Sequence, residues 1–199
     1  MKKLYLLAKE GKINEKAPIL DKQEIIIHAS MEKVWQTLVN IGEWPDWYTG
    51  VTVRKKPKKY EAGYRFKWKQ NEFKSKSRLA KVEKPHTLAW TGSILWIKTV
   101  HVWELREIEG RNTKVTVKES LQGLLVTRFM DKQKLHKALE LWLNLLKIRV
   151  ERDNPPREKQ LLRQKTPSRK NNMLRGIHIL SQNDAIGKKH DESPRYRTW

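Results

Sequence analysis

Two residues in this chain have types and spacing suited to acid–base chemistry: His101 and Glu119. They lie in the segments Ile97–Ile108 and Thr113–Leu121, both rich in β-branched and aromatic residues and separated by Glu109-Gly110-Arg111. That pattern predicts two strands joined by a tight hairpin loop. A three-residue loop pairs Leu105 with Val115, Trp103 with Val117, and His101 with Glu119, and turns all six side chains to one face of the sheet. A His beside a carboxylate in a half-dry pocket is an acid/base pair, the carboxylate orienting or charging the imidazole. The competing reading is a structural hydrogen-bonded pair, and a one-residue slip would send both side chains outward. His28, His86, His136, His178 and His190 are scattered, with no HxH or HExxH spacing, and no Gly-rich phosphate loop is present. Cys is absent, so the chain offers no thiol nucleophile, disulfide framework or Cys-based metal site. Nothing calls for a metal or a cofactor.

These residues need elements to hold them. From Val51 the hydrophobic period is two. Val51 and Val53 lead into a basic turn; Tyr64, Phe66 and Trp68 then share one face, with Arg65, Lys67 and Lys69 on the other. After a polar turn at Gln70–Glu72, Phe73, Ser75, Ser77 and Leu79 alternate with Lys74, Lys76 and Arg78, and Pro85–His86 turns into the strand Thr87–Gly92. Six such strands in succession, joined by short turns, make an antiparallel meander with one basic, wet face and one aromatic and aliphatic, covered face. Upstream, Glu24–His28 reads as a strand. Ser30 caps a helix through about Asn40, and an aromatic connector with a second small helix near Pro45 follows. The covering element is Asp131–Val150, where Leu135, Ala138, Leu139, Trp142, Leu145, Leu146 and Arg149 recur at helical spacing behind the N-cap Asp131. At 1.5 Å per residue this helix is roughly 30 Å long, about the width of a small sheet.

With 199 residues, 38% hydrophobic and 33% charged, the chain has material for one core and flanking segments. Residues 1–20 read as an arm with at most one helical turn at Lys3–Lys9, residues 21–151 as the domain, and residues 152–199 as a flexible basic tail beginning near Pro155-Pro156. The run Leu4–Ala8 is too short for a signal-peptide core or a membrane span, so a soluble, cytoplasmic protein is the expectation. The net charge of +21 is spread over the middle of the chain as well as its ends. Such a surface attracts anionic partners, whether nucleic acid, acidic membrane or a charged metabolite.

The order of strand, two short helices, meander and long final helix resembles the helix-grip fold of the SRPBCC superfamily, which includes birch-pollen-allergen proteins, StAR-related lipid-transfer domains and polyketide cyclase/dehydrase families. HASMEKVWQTLVNIGEWPDWYTGV (His28–Val51) is similar to the entry motif of that superfamily. KVEKPHTLAWTG (Lys81–Gly92), HVWEL (His101–Leu105) and TKVTVKESLQG (Thr113–Gly123) resemble later strands, and KALELWLNLLK (Lys137–Lys147) resembles the closing helix. Met31 departs from the pattern, since many relatives carry Pro there. The resemblance implies an α+β fold, a curved antiparallel sheet of six to seven strands wrapped around a long C-terminal helix, with two short helices after the first strand. It also implies an elongated cavity between sheet and helix. By parity the cavity would be lined by Tyr64, Phe66, Trp68, Ser75, Ser77, Trp90, Trp103 and Val117 from the sheet, with Trp35, Trp142 and Leu146 from helices. Nine Trp in one chain suit a flat or apolar ligand, although the same rings could simply fill a core.

Three functions follow as expectations. The first is a carrier or sensor of a hydrophobic or aromatic small molecule. The second is a cyclase or dehydratase using His101 and Glu119. The third is a basic adaptor that binds nucleic acid or acidic membrane through the sheet exterior and the tail, an interaction that salt would weaken steeply. The identity of the ligand and the oligomeric state are left open.

Overall fold

A computed structural model describes residues 1–152 of the chain. The expected basic tail, apart from Arg152, lies outside the described residues. The alternation of aromatic and basic residues builds a single seven-stranded antiparallel sheet: β1 (Ile19–Ile27), β2 (Val51–Lys55), β3 (Arg65–Gln70), β4 (Phe73–Glu83), β5 (Thr87–Ile94), β6 (Ile97–Ile108) and β7 (Asn112–Gln122). Strands β2 to β7 form a meander, and β1 adds beside β7, giving the order β1-β7-β6-β5-β4-β3-β2. This is the helix-grip architecture.

The inner face is covered by three elements. Helix α2 (Met31–Val39) starts at Ser30, whose hydroxyl accepts from the Lys33 N–H at 3.4 Å. A short 3-10 turn then leads to α3 (Trp44–Trp47), with Pro45 in its first turn, where a missing N–H costs nothing. After β7 comes a single turn, α4 (Val126–Phe129), and then the closing helix α5 (Lys132–Arg152). The Asp131 carboxylate caps α5 by accepting from the Lys134 N–H at 2.8 Å, which holds its pKa below the ordinary value. The buried stripe of α5 is Leu135, Leu139, Trp142, Leu143, Leu146 and Val150, so it is turned slightly from the expected one: Leu143 and Val150 are inside, and Ala138, Leu145 and Arg149 lie at its margin. The helix is fastened to β1 by polar contacts at both ends. His136 Nδ1 meets Asp21 at 3.1 Å near its start, while Lys147 Nζ donates to the Ile26 carbonyl and the His28 N–H donates to Glu151, each at 2.8 Å.

The N-terminal stretch is more ordered than the expected arm. Residues Lys2–Lys9 form helix α1, and β1 begins at Ile19 rather than Glu24. Leu4 and Ala8 lie one helical turn apart and, with Ile13, pack on Ala80, Ala89, Val100 and Val102. These last four face away from α5. The sheet is therefore covered on its outer side as well, over β4 to β6, and only the rest of that face is wet. Every residue of β5 from Thr87 to Gly92 is buried in consequence.

Candidate functional site

The register of the last hairpin places the chemistry. Gly110, at φ 76°, takes the left-handed backbone that the short Glu109–Arg111 connection requires, and β6 then pairs with β7 as His101↔Glu119, Trp103↔Val117 and Leu105↔Val115. On the other side, His101 faces Trp90 of β5. Three side chains thus stand in a row across three central strands, all on the inner face. The His101 Nε2 and Glu119 Oε1 atoms lie 2.7 Å apart, with side chains only 11% and 9% exposed. The Trp90 ring stacks on the imidazole at 4.8 Å and 16°. Trp90 thereby fixes the plane of the ring that Glu119 orients. A His held this way can take a proton from a bound molecule and return it, with the carboxylate stabilising the charged imidazole.

A second polar group lies beside the first. Trp68 Nε1 donates to Ser77 Oγ at 3.0 Å, and the Ser75 and Ser77 hydroxyls are also 3.0 Å apart. Gly92 pairs with Ser77 on one side and Thr99 on the other. A Cβ at Gly92 would collide with Thr99 Oγ1 and approach Ser75 Oγ at 3.3 Å. The missing side chain is what lets three buried hydroxyls converge. Thr99 and His101 are two residues apart on β6, so the hydroxyl cluster adjoins the His–Glu pair. Gly92 and Thr99 were not among the residues singled out in the sequence, although a Gly inside a strand signals close approach.

Around both groups stands an aromatic wall. Trp44 packs at 5.1–6.0 Å from Trp142, Trp68, Trp90 and Phe66. Trp142 also meets Tyr48 at 4.4 Å, Trp47 at 5.5 Å and Trp103 at 6.2 Å, nearly all of these contacts being edge-to-face. The expected lining residues Phe66, Trp68, Ser75, Ser77, Trp90, Trp103, Val117, Trp142 and Leu146 are buried on this inner side. Trp35 of α2 belongs to the same core, and Tyr64 packs against it, half-buried. Trp44, Trp47 and Tyr48 were not anticipated at its centre. Burial pushes the Tyr48 phenol above its ordinary pKa, partly offset by the hydrogen bond it accepts from Gln70 at 2.7 Å.

Three polar atoms of this wall are unpartnered among the described residues: the indole nitrogens of Trp47, Trp90 and Trp103. An indole N–H can only donate, and leaving a buried donor unpaired costs free energy. Among the described residues no three His, Asp or Glu side chains gather as a metal site would need. No helix there is long and apolar enough to cross a membrane.

Comparison with known proteins agrees with this architecture. Residues 22–143 match the profile of a family described as polyketide cyclase / dehydrase and lipid transport. No curated protein sequence matches the chain. Among solved structures, a hypothetical protein from Helicobacter pylori aligns at TM-score 0.59 and 17% identity, over 69% of this chain and 91% of its own. A START superfamily protein from Mycobacterium smegmatis aligns at TM-score 0.54 and 13% identity, over 67% and 97%. An aromatase/cyclase from a Streptomyces species aligns at TM-score 0.51 and 12% identity, over 67% and 93%. At such identities the structural likeness speaks for the fold alone. The family match spans more than half of the chain and covers the strands that carry His101 and Glu119, so the chain belongs to the polyketide cyclase/dehydrase and lipid-transport family.

Proposed function

We propose that this protein binds a flat, mostly apolar small molecule bearing oxygen acceptors, held between the inner face of the sheet and α5. The observation that carries the reading is the set of buried, unpartnered indole donors of Trp47, Trp90 and Trp103 in an otherwise aromatic interior. Apolar walls with a few unspent polar groups favour a ligand that is apolar in bulk and polar at chosen points. The family description, which includes lipid transport and polyketide chemistry, points the same way. Entry requires the edge-to-face rings around Trp142 to part.

The test compares anthraquinone with anthracene, equal in shape but different in acceptors, by quenching of tryptophan fluorescence. Anthraquinone should bind saturably and about tenfold more tightly, the worth of roughly one net hydrogen bond. Trp103→Phe, which keeps a ring but removes the N–H, should narrow that preference. Equal affinities, or no saturable quenching by either compound, would overturn the reading.

A second reading is favoured by the 2.7 Å contact of His101 with Glu119. In it the pair removes a carbon-bound proton next to a carbonyl; the electron pair left behind attacks a second carbonyl carbon to close a ring, and the proton passes to the new alkoxide oxygen. A second transfer, from the same carbon to that hydroxyl, forms the C=C bond and expels water. Mass analysis of a poly-β-ketone substrate incubated with the protein would detect a loss of water. Glu119→Gln and His101→Ala should then abolish turnover while leaving binding within a few fold. If turnover survives both changes, the pair is structural.

A further inference from the structure

The outer face of the sheet holds a groove of about 520 Å3 between the start of α1 and strands β3 to β6. Six of its lining residues are cationic (Lys2, Arg65, Lys67, Lys76, Arg78 and Lys98), and none is acidic. Strand register makes this costly. Arg65 faces Arg78, Lys67 faces Lys76, and the next pair along is Lys69 with Lys74. Like charges opposed across antiparallel strands repel. Elsewhere on the same sheet lysines meet acids: Lys114 pairs with Glu24 at 2.7 Å and Lys118 with Glu104 at 2.6 Å. By contrast, Lys2, Arg65, Lys67 and Lys76 have no ion-pair partner among the described residues.

The groove is also arranged. The Arg78 guanidinium lies 4.2 Å over the Tyr5 ring, and its Nε donates to the Gly63 carbonyl at 3.2 Å, so α1 and the β3 approach hold it in place. Lys98 Nζ donates to Ser93 Oγ at 2.7 Å. Ser93 faces Lys76 on one side and Lys98 on the other, so Lys67, Lys76, Ser93 and Lys98 form one row across four strands. At about 4.8 Å per strand that row is roughly 14 Å long. Three ammonium groups ranged about one hydroxyl, over that length, suit several anionic oxygens on one molecule. The volume lies within the usual range for small-molecule sites, about 300–1,000 Å3. With α1 walling one side, the shape favours a compact ligand over a flat bilayer.

We propose that this groove binds a small molecule carrying two or more phosphate groups. The site is separate from the interior one, and either assignment can fail without the other. The experiment is calorimetric titration of the full chain with inorganic pyrophosphate and with a nucleoside diphosphate, at one fixed ionic strength. Both should bind at one site per chain. Lys67→Gln and Lys76→Gln, made separately, should each weaken binding at least about tenfold, the scale of one charge-assisted hydrogen bond. Lys137→Gln on α5, outside the groove, should leave it unchanged. A second readout separates binding from folding. Without ligand, the two groove variants should melt at or above the wild-type temperature, because a repulsion has been relieved, yet lose most of the rise that pyrophosphate gives the wild type. The proposal is overturned if neither phosphate compound binds, or if Lys137→Gln weakens binding as much as the groove variants. It is equally overturned if only a single-stranded oligonucleotide or phosphatidylserine vesicles bind.

Discussion

Trp142 is the residue on which the interior should be most sensitive. Its ring is 5% exposed and meets Trp44, Trp47, Tyr48, Trp68 and Trp103 at centroid separations of 4.4–6.2 Å. A buried Trp withdraws roughly 200 Å2 from water. At about 25 cal/mol per Å2 that is ~5 kcal/mol of transfer free energy, of which the Ala methyl keeps about 1. The cavity left behind and the lost edge-to-face contacts, at about 0.5–1.5 kcal/mol each, push the cost back up, and partial collapse of neighbouring rings pulls it down. Trp142→Ala should therefore destabilise the protein by about 4–5 kcal/mol, at the upper end of the usual range for such a deletion. In urea unfolding followed by circular dichroism, the midpoint should fall while the slope with denaturant stays constant. The melting temperature should drop by roughly 8–20 °C for a chain of this size. Trp142→Phe should restore more than half of the loss. A cost below about 0.5 kcal/mol, the scale of a surface substitution, would refute the placement of Trp142 under the sheet.

Three further outcomes follow from other positions. Gly92→Ala should cost about 1–3 kcal/mol, because the new methyl meets Thr99 Oγ1, and adding Thr99→Ala should recover much of that loss in a double-mutant cycle; strict additivity would contradict the close approach. Leu4→Ala should cost about 2–3 kcal/mol in equilibrium unfolding, since Leu4 seals the outer face over Val100 and Val102; a negligible cost would mean that α1 does not dock. Burial raises the Tyr48 pKa in the folded state, so its contribution is fully present below about pH 10, where the unfolded phenol begins to ionise, and is lost as pH rises through the higher folded value. Melting temperatures measured from pH 8 to 11 should fall less steeply for Tyr48→Phe, and an unchanged alkaline slope would exclude Tyr48 as the cause.

Much of this molecule is legible in local pattern. Tyr64, Phe66 and Trp68 against Arg65, Lys67 and Lys69 give β3 and its two faces directly, because a strand repeats every second residue. The His101–Glu119 pairing follows from the length of one loop. What escapes such reading depends on what lies on the far side. Val100 and Val102 alternate with His101 and Trp103, and period-two reasoning assigns one set to water; only a partner for the outer face makes both sets buried. That partner, α1, is one short apolar run, Leu4–Ala8, in which Leu4, Ala8 and parts of Tyr5 and Leu7 pack on the sheet while Leu6 stays exposed; five consecutive apolar residues show no helical stripe to announce a docked helix. β1 is obscured by Asp21, Lys22 and Gln23, although Asp21 is 8% exposed and held by His136 from α5. Trp44 sits in a four-residue helix, where no period can be read, and yet it touches four other rings. In the candidate site the two ionisable residues were legible, but the glycine that lets the hydroxyls converge was not, since its role exists only once three strands are aligned.

The position of β1 also bears on how the chain must assemble. Strands β2 to β7 each pair with the next in sequence, so their hairpins can close over short loops as they emerge. β1 pairs with β7 instead, from Ile19 opposite Leu121 to Ile27 opposite Thr113, across the whole meander. Loops of that length are slow to close and raise contact order, which slows folding. During synthesis at about 5–20 residues per second, the apolar run Ile25–Ile27 waits roughly 5–20 s before its partner strand exists. In that interval it is an unpaired β-branched segment, open to pairing with another nascent chain. The charged residues Asp21, Lys22 and Glu24 that precede it are thus placed where they discourage such pairing.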